Sequence, residues 1–172
     1  DYIEHLKATV PYSLEGVKVA VDCANGSASA TAAELFAQLG AEAVILCDRP
    51  DGLNINEDCG STHLERLSQL VKEHSLAGGV AFDGDADRCL AVDELGNLID
   101  GDQIMAACGL DRKEKGQLPG DTVVATVMSN LGLHVFAGEH GLKLECTSVG
   151  DRNVLERMQE KGYVLGGEQS GH

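Results

Sequence analysis

VKVAVDCANGSASATAAELFAQLGAEAVILC, residues 17–47, sets the architecture. An apolar strand (17–23) leads through a small polar loop into a helix carrying Leu35, Phe36 and Leu39. Gly40 ends that helix, and a second apolar strand, AVILC, follows. The same rhythm continues outward. Thr62-x-x-Glu65 has the form of a capping box, and Leu64, Leu67, Leu70 and Val71 make one apolar helix face behind it. A third strand then runs into DGDADR (83–88), and CLAVDE and NLID around Leu95-Gly96 form a hairpin.

The pattern restarts with the helix GDQIMAACG and the strand DTVVATVM (121–128). Ser129 or Asn130 can cap a helix running to His140, LKLECTSV is a strand, and VLERMQEKG is a helix closed by Gly162. YVLGG is the last predicted strand and ends on GEQSGH. Strands alternating with helices at this spacing predict α/β architecture: two consecutive α/β/α three-layer domains with mixed, mostly parallel sheets, the second truncated. The expected division is a lead-in over 1–13, a first domain over 14–101 and a second over 102–172. GLDRKEKGQLPGD (109–121) is polar, but it follows a helix, so the boundary belongs nearer Gly101.

Twenty-eight acidic against thirteen basic residues give a formal charge of −15, which removes nucleic acid and anionic membranes from the expected partners. No apolar stretch approaches the roughly 20 residues that cross a bilayer, and DYIEHLKATV lacks the order of a secretory signal. A cytoplasmic protein is expected. Six scattered cysteines form no C-x-x-C pair, and buried reduced thiols are the expectation for them. Cys59 and His63 are the one close Cys/His pairing, with no second pair to complete a metal site.

Asp83, Asp85 and Asp87 stand at alternate positions where a strand ends, and ligands of open α/β sheets gather beyond such ends. On extended backbone the three carboxylates would share a face, with Gly84 and Ala86 small enough to let the chain curl. Unit charges about 4 Å apart near a protein surface repel by about 4 kcal/mol, and a divalent cation removes that cost. Hard anionic oxygens with no sulfur or imidazole favour Mg²⁺. Arg88 adds a fork suited to phosphate.

An acidic surface turn is the bland alternative. An EF-hand reading matches Asp83, Asp85, Asp87 and Glu94, but Arg88 stands where the loop requires glycine. An aspartyl-nucleophile phosphatase would leave Asp87 and Arg88 without a role. In GGEQSGH, Glu168, Ser170 and His172 repeat the alternate spacing with groups that bond to adjacent hydroxyls, and the glycines permit close approach. A tight loop whose Ser170 caps a following helix is the plainer reading. Asp151 could cap the helix VLERM.

Together these motifs resemble the alpha-D-phosphohexomutases: DGDADR their metal loop, and GEQSGH their sugar-binding loop. PDGLNINEDCGSTH (50–63), LIDGDQIM, TVMSNLGL and TSVGDRNV resemble the phosphoglucosamine mutase branch in particular. The resemblance runs almost end to end. It implies interconversion of glucosamine 6-phosphate and glucosamine 1-phosphate through an active-site phosphoserine and a bisphosphorylated sugar; mannose or glucose phosphates are alternative substrates. It also implies Mg²⁺ held by Asp83, Asp85 and Asp87, and Arg88 steadying the transferring phosphoryl group. Gly167, Glu168, Ser170 and His172 would then hold the phosphorylated amino sugar. The family's Ser-His-Asn-Pro-like nucleophile loop does not occur, since Pro11, Pro50 and Pro119 do not follow Asn. The chain is therefore expected to be the second domain and part of the third, inactive without the first and fourth. Ser148 and Asn153 depart from the branch's usual residues. The rival from another class is a noncatalytic sugar-phosphate or cation-binding module.

Overall fold

The computed structural model describes residues 2–172, which form two compact units, 2–99 and 100–172. In the first, α1 (Tyr2–Ala8) precedes β1 (Lys18–Asp22), a 3₁₀ turn (Ser27–Ala30), α2 (Ala32–Gln38) and β2 (Glu42–Leu46). Then come α3 (Glu65–Glu73), β3 (Gly78–Phe82), β4 (Cys89–Val92) and β5 (Leu98–Ile99). The sheet order is β2-β1-β3-β4-β5. β1 lies parallel to both β2 and β3, while β3/β4 and β4/β5 are antiparallel.

Strand alternation builds two cores on opposite faces of this sheet. Ala20, Leu46 and Ala81 pack with Leu67, Val71 and Leu76 of the α3 segment, and Leu64 and Leu70 complete that helix face as expected. Their neighbours Val19, Val21, Ile45, Val80 and Phe82 turn the other way, toward Ala28, Ala32 and Phe36. The result is three layers, α/β/α. The Thr62/Glu65 capping box does not form. Leu64 is the N-cap and is already in the helical region (φ −88°, ψ −3°), with no side-chain cap, so Thr62 falls too early in the chain to cap the helix. The hairpin is present: the Asp93 carboxylate accepts from the backbone N–H groups of Leu95 and Asn97 and from Asn97 Nδ2, closing the turn at Gly96.

The second unit comprises α4 (Gly101–Glu114), β6 (Thr122–Thr126), α5 (Leu131–Glu139), β7 (Lys143–Thr147) and α6 (Asp151–Lys161). β6 and β7 pair in parallel, and every residue of β6 is buried, as a parallel strand covered on both faces requires. Met105, Leu133 and Ala137 pack on Val123 and Ala125. α6 packs against the same two strands, with Val154 buried. Asn130, not Ser129, caps α5, accepting from Leu133 N–H, and Gly162 ends α6 in the left-handed region. Asp151 is the first helical residue of α6, so the N-cap is Gly150. α4 runs on through residues 109–114 of the polar segment.

The predicted strand YVLGG shrinks to a single parallel bridge, Val124 to Gly166. Only two backbone bonds tie it to β6, Val124 N–H to Leu165 O and Gly167 N–H to Val124 O, too few for a ladder. The cysteine expectation also needs correction. Cys23 and Cys59 are buried, Cys47 and Cys89 are half-buried, and Cys108 and Cys146 are exposed, because Cys108 lies on the outer side of α4 and β7 is buried at none of its residues. No helix among the described residues is long and apolar enough to cross a membrane.

Candidate functional site

Asp83 follows the last residue of β3, and the chain turns there rather than remaining extended. Ala86 N–H donates to Asp83 O at 3.1 Å, and Ala86 sits at φ 59°, a left-handed conformation that few side chains tolerate. The shared face expected from strand alternation is therefore produced by a tight turn. It still brings one oxygen each from Asp83, Asp85 and Asp87 within 4.8 Å of one another. Asp83 is buried, while Asp85 and Asp87 are exposed.

The turn is set by neighbouring backbone. Ser27 N–H donates to Gly84 O, and a Cβ on Gly26 would lie 2.2 Å from that oxygen. A Cβ on Gly84 would meet Ile55 at 2.6 Å. Glycine at both positions allows the loops after β1 and β3 to touch. Beside them, Tyr2, Leu6, Phe36, Phe82, Asp85 and Ala86 line part of a cavity of about 370 Å³.

Arg88 grips the buried carboxylate. Its Nε and Nη2 reach Asp83 Oδ2 at 2.8 and 2.6 Å, and its backbone N–H donates to Oδ1 at 3.2 Å. Burial works to raise the Asp83 pKa, but these Arg88 hydrogen bonds and the guanidinium charge outweigh it and hold the carboxyl below its usual range. A depressed carboxyl pKa contributes stability that is present above the unfolded value and lost as pH falls through the folded one. In metal-free buffer Arg88→Ala should cost about 1 kcal/mol at neutral pH and clearly less at a pH acidic enough to protonate Asp83. Urea unfolding at both pH values checks this; an equal loss at both would remove the ion pair as its cause.

The donor set fits a hard cation: three carboxylates from one turn, two of them exposed, with no thiol or imidazole among them. Arg88 keeps further N–H donors beyond those on Asp83.

The second set lies in the other unit, in the loop after Gly166. Its spacing does not put Glu168, Ser170 and His172 on one extended face. The segment folds back, Glu168 N–H donating to His172 O and Gly171 N–H to Glu168 O, with Gly171 at φ 105°. Gly167 and Glu168 are buried, Ser170 is exposed and His172 is half-buried. Glu168 Oε1 accepts from Gly150 N–H at 2.8 Å, tying this loop to the one after β7.

Two supports of that loop went unread in the sequence. Asp100 and Gln103 form a reciprocal capping box at the start of α4, and Asp100 Oδ2 also accepts from Gln169 Nε2. Gly101 N–H donates to Gln169 O at 3.0 Å. The Asp-x-x-Gln spacing was the available signal. Asp22 gave none: wholly buried at the end of β1, it accepts from Ala24 and Gly60 N–H and so braces the loops beside the aspartate turn.

Comparison with known proteins matches both units. The family models for the alpha/beta/alpha domains of phosphoglucomutase/phosphomannomutase match residues 1–96 (domain II) and 100–172 (domain III). The chain is 56% identical over 172 residues to a phosphoglucosamine mutase of Acetivibrio thermocellus, covering 100% of this chain and 38% of that protein. It is 56% identical over 171 residues to one of Saccharopolyspora erythraea, covering 99% and 38%. The crystal structure of a phosphoglucomutase/phosphomannomutase family protein from Burkholderia thailandensis superposes with a TM-score of 0.87 at 29% identity, over 99% of this chain and 37% of that one. An Aspergillus fumigatus N-acetylphosphoglucosamine mutase, solved with GlcNAc-6P and magnesium, shares the fold at TM-score 0.70 and 23% identity, over 99% and 39%. The chain spans 38% of the length of the curated relatives it matches. It belongs to the phosphoglucomutase/phosphomannomutase family, as that family's second and third alpha/beta/alpha domains.

Proposed function

We propose that this chain supplies the cation-holding and sugar-holding domains of a phosphoglucosamine mutase. The whole protein interconverts glucosamine 6-phosphate and glucosamine 1-phosphate through a bisphosphorylated sugar, using a phosphoserine that lies outside these 172 residues. The observation that carries this reading is the convergence of Asp83, Asp85 and Asp87, in a chain 56% identical to phosphoglucosamine mutases.

Asp83, Asp85 and Asp87 would hold Mg²⁺, which would supply positive charge to neutralise a phosphoryl group during in-line attack. Arg88, fixed by Asp83, directs its remaining N–H donors to a phosphoryl oxygen. Ser170 and His172 bond to sugar hydroxyls on a loop whose Gly167 keeps the backbone close. Glu168, braced by Gly150, offers its second carboxylate oxygen to the same hydroxyls. Most of the catalytic effect then comes from charge placement and positioning.

The test compares full-length protein and isolated chain in a coupled assay with glucosamine, mannose and glucose 6-phosphates. The expected result is the highest kcat/KM for glucosamine 6-phosphate in the full-length protein and no turnover by the 172-residue chain. Preference for mannose or glucose phosphate would overturn the substrate, and turnover by the isolated chain would overturn the missing phosphoserine.

A further inference from the structure

The first unit gathers a second set of metal-ligating groups of different chemistry. Asp22 at the end of β1, Cys47 just beyond β2 and Cys59 in the following loop each bring one ligand atom within 4.8 Å of the others. His63 is not among them, so Cys59 turns to other strand ends rather than to the histidine four residues on. We propose that Asp22, Cys47 and Cys59 form a site for a thiophilic divalent cation such as Zn²⁺, separate from the three aspartates and independent of the reaction assigned above.

The arrangement supports it. The three ligand atoms lie within 4.8 Å of one another, close to the roughly 3.3–3.8 Å between neighbouring ligands of tetrahedral zinc. Each Asp22 oxygen accepts one backbone N–H, and the Cys47 thiol is hydrogen-bonded to the same carboxylate, so these two ligand groups already face each other. The site is closed on one side and open on the other, since Asp22 and Cys59 are at most 1% exposed while Cys47 is half-buried. Arg66 Nη1 lies 3.8 Å from Cys47 Sγ and Asn25 Nδ2 lies 3.9 Å from Cys59 Sγ, and both side chains have to turn away as a cation binds; Arg66, being exposed, has solvent to turn into.

Bound metal would neutralise the wholly buried Asp22.

The test is anaerobic Co²⁺ titration of the reduced 172-residue chain carrying Cys108→Ser and Cys146→Ser, which removes the exposed thiols. The expected result is one equivalent bound with a sulfur-to-cobalt charge-transfer band, displaced by Zn²⁺ and unaffected by excess Mg²⁺. Cys47→Ser, at a half-buried position where folding is least at risk, should abolish the two-thiolate band; Cys59→Ser should do the same, with circular dichroism reporting the fold. Asp85→Asn should leave the band unchanged. Absence of the band at tenfold excess cobalt, its survival in Cys47→Ser, or its loss in Asp85→Asn would each overturn the site.

Discussion

Asp85→Asn in the full-length enzyme should lower kcat by at least about 100-fold, with little change in thermal stability. The substitution keeps side-chain shape and removes one unit of charge from a residue proposed to hold a cation beside a phosphoryl group. Asp85 is the position that isolates this effect. Asp83 also anchors Arg88, so its replacement mixes catalysis with folding. Asp85 is exposed, on a turn held by Gly26, Gly84 and Ile55. Steady-state kinetics at saturating Mg²⁺ and a thermal melt check the expectation. A loss below about fivefold would mean that Asp85 is not a ligand, and a large fall in Tm would mean that the turn depends on it structurally.

Gly101→Ala should damage the second unit more than its chemistry suggests. On helix propensity alone alanine gains up to about 1 kcal/mol over glycine. Here, however, a Cβ would sit 1.9 Å from Glu168 O and 2.9 Å from Gln169 O, both backbone atoms of the 167–172 loop. Either the start of α4 or the loop must shift, breaking the Gly101 N–H to Gln169 O bond and disturbing the Asp100 and Gln169 contact. Overpacking against backbone costs about 1–3 kcal/mol, so after the propensity gain a net destabilisation of about 1–2 kcal/mol is expected by urea unfolding. In the full-length enzyme the displaced loop should lower kcat/KM by about 10- to 100-fold, since a shift near 1 Å in a positioning element has effects of that order. Unchanged or increased stability would contradict the packing of α4 on this loop.

Much of the fold was legible because strand and helix periods differ. Val19, Ala20 and Val21 alternate between two cores, and Leu64, Leu67, Leu70 and Val71 recur at helical spacing on one of them. Elements defined by tertiary fit were not legible in the same way. Thr62 and Glu65 match a capping box, yet the helix opens at Leu64 without one; Asp100 and Gln103 match as well and do form it. YVLGG carries strand residues but retains one bridge, because pairing depends on a neighbour and not on propensity alone.

At the candidate site, the identities of Asp83, Asp85 and Asp87 were readable and the backbone that gathers them was not. Alternate spacing suggested an extended face, whereas the chain turns at Ala86. Glu168 was readable as a polar loop residue, but its bond to Gly150 joins segments 18 residues apart. Cys47 and Cys59 meet only because β2 and the loop after it end beside Asp22, a juxtaposition no local spacing encodes.

The most direct measurement of the aspartate cluster is Mn²⁺ titration of the isotope-labelled 172-residue chain, following paramagnetic broadening of backbone amides. Broadening centred on residues 83–88 at low metal, competed away by Mg²⁺ and lost in Asp85→Asn, is the predicted result. Uniform broadening over the acidic surface, with no preference for residues 83–88, would contradict a cation site there.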